Sequence, residues 1–180
     1  MAIEMRGIVR HIVREYKLPL TGIHGIVHWA RVFDNGQRVA EASGADPDVV
    51  ALFALFHDSR RRNDGYDPDH GRRGAELAKE VRGELFELSD SQFALLIEAC
   101  CGHTDCRHHD NITIGACWDS DRLDLGRVGT RAHPHYLNTD EAKREETIAW
   151  ADGRAVFNVV PDWIEDRWGI KLPIAAEDLH

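Results

Sequence analysis

The stretch that most restricts the fold runs from Asp46 to Asp58, DPDVVALFALFHD. Asp46-Pro47 reads as an N-cap followed by a proline in the first helical turn. The residues after it are apolar on every face of a helix, so that helix has to be covered all round and lie at the centre of its domain. It nevertheless ends in an imidazole and a carboxylate, His57-Asp58. A central element carries both groups inward with it, and something there has to compensate them.

Helical periodicity accounts for the rest of the chain. A first helix covers about Ile3 to Tyr16, with Ile8, Val9, Ile12, Val13 and Tyr16 on one side, and a second covers about Gly22 to Ala42. Asp67-Pro68 starts a helix that reaches about Glu87, after the loop RRRNDGYDPDHG. Ser89 to Gln92 fits a capping box for a helix ending near His103. Another runs from Ile112 or Thr113 to about Val128. GTRAHPHYLN is a long loop, Thr139-Asp140 caps a last long helix ending before Pro161, and a short aromatic piece holds Trp163 and Trp168. No segment alternates with period two for long enough to be a strand. The expectation is an all-α chain with a single domain over 1–180, its core about 22–129 and a C-terminal helical extension about 139–180.

Charge and patterning exclude some classes of function. With 31 acidic against 22 basic residues the net charge is -9, opposite in sign to what broad binding of nucleic-acid backbone requires. No apolar run approaches the roughly 20 residues that span a bilayer, and MAIEMRGIVRHIVREYK lacks the apolar core of a signal peptide. A cytoplasmic protein with no membrane partner is expected. Cys100, Cys101, Cys106 and Cys117 then read as free thiols.

Other helices also turn polar residues inward. His24 and His28 share a face at i, i+4; His70 precedes the Gly74, Leu77, Ala78, Val81 stripe by one turn; His103 extends the Phe93, Leu96, Cys100 stripe. Asp121 falls on the stripe of Ile114, Cys117, Trp118 and Leu125, whereas Asp119 points the opposite way. Each has a bland reading. A single inward histidine is more often a hydrogen-bonded core residue, His57-Asp58 would suit a helix C-terminus, and Asp121 could pair with an arginine. Their coincidence argues for more. An ionised aspartate in apolar surroundings costs several kcal/mol unless compensated. A divalent metal compensates all of them at once, and imidazole with carboxylate suits Mn, Fe, Co, Ni or Zn.

His28 in HWARV, the His57-Asp58 doublet and Asp121 in SDRLD together resemble the HD-domain metal-dependent phosphohydrolase superfamily, over about Gly22 to Gly129. The resemblance implies an all-helical bundle around a metal held by His28, His57, Asp58 and Asp121. It gives Arg31 a packing or salt-bridge place. Some relatives add histidines and hold two ions, and His70 and His103 stand in that order here. DGYDP reads as a turn and does not match the Gly-Tyr-Pro of the cyclic-dinucleotide branch.

The chemistry implied is hydrolysis of a small phosphate ester, a nucleotide among the candidates, by metal-activated water. Arg60, Arg61 and Arg62 leave the doublet directly and are expected to contact phosphate, although a solvated arginine face explains any one of them equally. His70 and His103 bind a second ion or serve the phosphate and leaving group; the arginine-flanked loop before His70 favours the second role. Asp124 orients a ligand or the attacking water, or pairs with Arg122 or Arg127. Three other readings compete with this one. One is a di-iron oxygenase on His28, His57, Asp58, His70, His103 and Asp121, and another is a closed, metal-stabilised regulatory module. The third is a zinc knuckle from Cys101, His103, Cys106 and His108 or His109.

Overall fold

In the computed structural model, which describes residues 3–172, the central segment is a helix, α3 (Pro47–Phe56), buried at every residue from Val49 to Phe56. The Asp46 carboxylate accepts the N–H groups of Asp48 and Val49 and starts it. The described residues are all helical apart from turns and one isolated bridge, Arg82 to Phe86. The other helices are α1 (Met5–Glu15), α2 (Ile26–Ser43), α4 (His70–Val81), α5 (Asp90–Gly102), α6 (Ile112–Arg122), α7 (Asp140–Lys143), α8 (Glu145–Val156) and α9 (Ile164–Trp168). Helices α2, α5 and α6 surround α3, and α4 lies against α5 and α3. One apolar cluster runs from Ile8 to Trp168, so the described residues form one domain. Residues 173–180 of the expected C-terminal extension lie outside the described residues. No helix among the described residues is long and apolar enough to cross a membrane.

Several boundaries differ from expectation for local reasons. Helix α2 begins at Ile26, because residues 19–25 form tight turns: Gly22 N–H donates to Pro19, Gly25 N–H to Gly22 and Ile26 N–H to Leu20. His24 therefore sits in a turn, one helical start before His28. Helix α4 begins at His70 and stops at Val81, and Gly83 follows at φ +83°. Helix α6 ends at Arg122 and a 3₁₀ turn, Leu125–Val128, carries the chain on. The last long helix is broken: Arg144 is extended between α7 and α8, while Glu141 reaches across the break to Thr147 and Arg38.

Two glycines set the closest helix approach. A Cβ on Gly74 would stand 2.0 Å from the Phe56 carbonyl oxygen, and one on Gly71 would stand 2.1 Å from that of Cys100. Neither position has room for a side chain, so HGRRG lets α4 lie directly on the ends of α3 and α5. That approach brings His70 beside His103.

Candidate metal centre

His28 comes from α2, His57 and Asp58 from the end of α3, His70 from the start of α4, His103 from the end of α5, and Asp121 from the last turn of α6. All four imidazoles are buried, as is Asp58. Two donor groups form: His28, His57 and Asp58, and then Asp58, His70 and His103, with the ligand atoms of each group within 4.8 Å of one another. Asp58 belongs to both. Its Oδ2 is 3.5 Å from His28 Nε2 and 3.6 Å from His57 Nε2, while its Oδ1 is 3.2 Å from His70 Nε2 and 4.0 Å from His103 Nε2.

The hydrogen bonds behind the rings decide which nitrogen is free. His57 Nδ1 faces the Phe53 carbonyl at 3.1 Å, His70 Nδ1 that of Asp67 at 2.5 Å, and His103 Nδ1 that of Cys100 at 2.8 Å. A carbonyl only accepts, so each Nδ1 carries the proton and each neutral ring presents a bare lone pair at Nε2. His28 Nδ1 donates in the same way to Asp124 Oδ2 at 2.7 Å. The four Nε2 atoms then meet in pairs, His28 with His57 at 3.2 Å and His70 with His103 at 2.8 Å. Lone pairs at such distances repel unless a positive charge sits between them. Asp121 Oδ1 is buried without any hydrogen-bond partner, 3.5 Å from His28 Nε2 and 3.8 Å from His57 Nε2. These residues fit a divalent cation: the donors converge, their tautomers are preset, and one carboxylate oxygen has nothing else to bind.

Electrostatics separate the two groups. Burial drives the His57 pKa down to about 3 and also lowers that of His103, so both rings stay neutral. His70 is buried too, but its contact with Asp58 outweighs burial and raises its pKa. A proton on His70 can therefore stand between His103 and Asp58. Burial opposes ionisation of Asp58, yet His57, His28, His70 and Arg61 together hold it well below the usual carboxylate range. Asp121 is lowered as well, with burial overcome by His57 and Arg127.

Asp124 stands behind the donors. It is fully buried, and besides His28 it accepts Arg31 Nε at 2.7 Å and Arg31 Nη2 at 3.1 Å. Its oxygens are thus committed to orienting His28, and the buried Arg31 holds it there. Burial disfavours the charge, but His28 and Arg31 keep the Asp124 pKa low. The expected alternative of pairing with Arg127 reduces to a 3.8 Å approach.

A cavity of about 350 Å³ opens over the donors, lined among others by Asp58, His103, Asp121, Arg61, Arg122 and Arg127. Of the three arginines expected at phosphate, only Arg61 lies here, with Nε donating to Asp58 Oδ1 at 2.8 Å. Arg60 pairs with Glu15 at 2.8 Å, and both Arg60 and Arg62 line a separate depression with Lys17 and Arg73. Arg127 was not expected at the site. Its Nε donates to the Ile23 carbonyl at 2.9 Å and its Nη2 is 3.7 Å from Asp121 Oδ1. Arg122 and His24 also reach this cavity, and His24 Nδ1 meets Asp64 at 2.8 Å.

Asp119 requires a correction. It does point away from Asp121, but it is fully buried, because the loop after the 3₁₀ turn covers that side of α6. Its carboxylate accepts the backbone N–H groups of Asn138 and Thr139, Asn138 Nδ2 and Thr139 Oγ1, at 2.7 to 2.9 Å. The cysteine-histidine knuckle does not assemble among the described residues. His103 faces the Asp58 group, and Cys101 and Cys106 are exposed, free thiols. Comparison with protein-family models, with curated proteins and with solved structures gave no match for this chain.

Proposed function

We propose that this chain is an HD-type metal-dependent phosphohydrolase of a small phosphate ester, with two donor groups, both containing Asp58, that would each hold a divalent transition-metal ion. The observation that carries the reading is the convergence of four preset imidazole lone pairs and two carboxylates at the base of an arginine-walled cavity. Bound divalent ions supply a water of lowered pKa and neutralise phosphoryl charge. The chain's own residues do the rest. His28, His57, Asp58, Asp121, His70 and His103 would hold the ions. This gives His70 and His103 a ligand role in preference to direct contact with phosphate, because their Nε2 atoms face each other and Asp58. Arg61 and Arg127 line the cavity and would contact the phosphoryl oxygens, and Arg–phosphate contacts suit a charge that builds in the transition state. Asp124 keeps the His28 tautomer. Water adds to phosphorus, the bond from phosphorus to the ester oxygen breaks, and the alcohol leaves with a proton.

Metal analysis of protein purified without chelator or a metal-affinity tag, followed by a panel of phosphate esters, tests this. Asp58→Ala is expected to remove both ions and all turnover while the helical far-UV signal persists; His103→Ala is expected to remove one ion. Full metal content and turnover in Asp58→Ala would exclude the assignment. The paired donor groups also suit a di-iron oxygenase. Iron content with dioxygen consumption, in place of ester hydrolysis, would favour that reading.

A further inference from the structure

A second chamber of about 360 Å³ adjoins the metal cavity and shares Thr104, Arg122 and Leu125 with it. Leu125, Ala132 and Leu137 give it an apolar wall, Asp105, Arg131 and His133 a polar one, and Tyr136, 46% exposed, stands beside them. The Arg107 guanidinium lies 5.1 Å from the centre of the Tyr136 ring. Helix α6 builds both spaces. Asp121 turns to the metal donors; one helical face away, Arg122 Nη1 donates to the carbonyls of Arg107 at 2.6 Å and Tyr136 at 2.8 Å, and its Nη2 to that of Cys106. Asp119 holds Asn138 and Thr139, two and three residues beyond Tyr136. A guanidinium and a buried carboxylate are thus both committed to fixing the chamber's walls against the helix that presents Asp121. Such fixed geometry suits a pocket that positions part of a substrate relative to its reacting atom.

We infer that this chamber receives the alcohol portion of the phosphate ester, and that this portion carries a flat ring seated against Tyr136 and Arg107. The volume is that of a small-ligand pocket and takes one ring or two fused rings. Apolar side chains beside an aromatic face and an arginine favour a planar π system over a hydrated polyol. The phosphoryl group would then project past Arg122 into the metal cavity, toward Arg61 and Arg127. Binding energy from the ring, remote from the reacting bond, holds that bond in place.

The inference rests on the phosphohydrolase reading, so its test has one arm that needs no turnover. In the first arm, the metal-loaded full chain is assayed with phenyl phosphate and with ethyl phosphate. A preference in kcat/KM for the phenyl ester is expected, reduced about tenfold by Tyr136→Ala, the range of a lost stacking contact, and largely kept by Tyr136→Phe. In the second arm, phenylphosphonate and methylphosphonate are titrated into the same metal-loaded proteins. Tighter binding of phenylphosphonate to the parent, with the difference removed in Tyr136→Ala, supports the chamber even if neither ester is hydrolysed; that combination would reject the phosphohydrolase reading alone. Equal binding of the two phosphonates by the parent, binding of neither, or an unchanged preference in Tyr136→Ala would overturn the inference.

Discussion

Asp119 and Asp121 are two residues apart on one helix and face opposite demands. Asp119 accepts four hydrogen bonds from Asn138 and Thr139, and burial raises its pKa despite them. Asp121 leaves Oδ1 without a hydrogen bond, with Arg127 Nη2 near it at 3.7 Å. Asparagine at 119 would turn an amide NH₂ toward two donors and leave them unsatisfied, at a cost of about 2 kcal/mol. Asparagine at 121 removes a charge beside His28 and His57 whose oxygen makes no hydrogen bond. Asp119→Asn is therefore expected to lower the unfolding free energy by about 2 kcal/mol and keep bound metal. Asp121→Asn is expected to lose metal while the metal-free chain keeps its stability. Denaturant titration and elemental analysis of both variants check this, and a common phenotype would mean that Asp121 has no ligand role.

At the scale of the helix, the approach of α4 is the feature most exposed to a single change. Alanine at 74 would place a methyl 2.0 Å from the Phe56 carbonyl oxygen, backbone that cannot swing aside. Gly74→Ala is expected to displace α4, destabilise the fold by about 1–3 kcal/mol, and loosen the ion held by His70 more than the one held by His28 and His57. Metal titration resolves the two if the first affinity survives and the second drops. Similar reasoning explains what the sequence could and could not reveal. The burial of His57 and Asp58 was legible because α3 is apolar on all faces, a property internal to thirteen residues. The phase of α6 correctly turned Asp121 and Asp119 apart, yet periodicity tells only which way a side chain points. The loop that buries Asp119 is non-local and left no periodic trace. Asp124 was expected to orient a ligand or pair with an arginine, and its oxygen does fix His28; Arg127 was missed at the site because the helix gives way to a 3₁₀ turn after Arg122, and α-helical phase no longer applies. Arg60, Arg61 and Arg62 leave α3 in a turn, so their neighbourhood in sequence does not make them neighbours at the site.

Across the whole molecule, the donors come from five helices and lie where those helices converge. An ion bound there binds the folded chain and not the unfolded one, so it adds RT ln(1 + [L]/Kd), about 4 kcal/mol at a thousandfold excess over Kd. For a domain of this size each kcal/mol shifts Tm by about 2–4 °C, and removing the metal with a chelator is expected to lower Tm by about 8–16 °C. The metal-free chain then has its own pH dependence, set by rings that burial keeps neutral. His57, at about 3, and His103 take up protons more readily when unfolded than when folded. Below the ordinary histidine pKa near 6.5 the unfolded state binds the extra protons, and stability falls as pH falls toward 3. His70 acts in the opposite sense: its raised pKa contributes stability present below about 6.5 and lost as pH rises through the folded value. With His57 held at about 3, the stability lost through it on acidification sets the direction, and Tm of the metal-free chain is expected to drop between pH 7 and pH 5. The same difference sorts the ions. Metal must displace a proton from His70 and none from His57, and each displaced proton weakens apparent affinity about tenfold per pH unit below its pKa. As pH falls, the ion on His70 and His103 is expected to leave before the ion on His28 and His57. Calorimetric scans and metal titrations at pH 5, 6, 7 and 8 read both effects; simultaneous loss of two ions at every pH would mean that the groups sharing Asp58 act as one site.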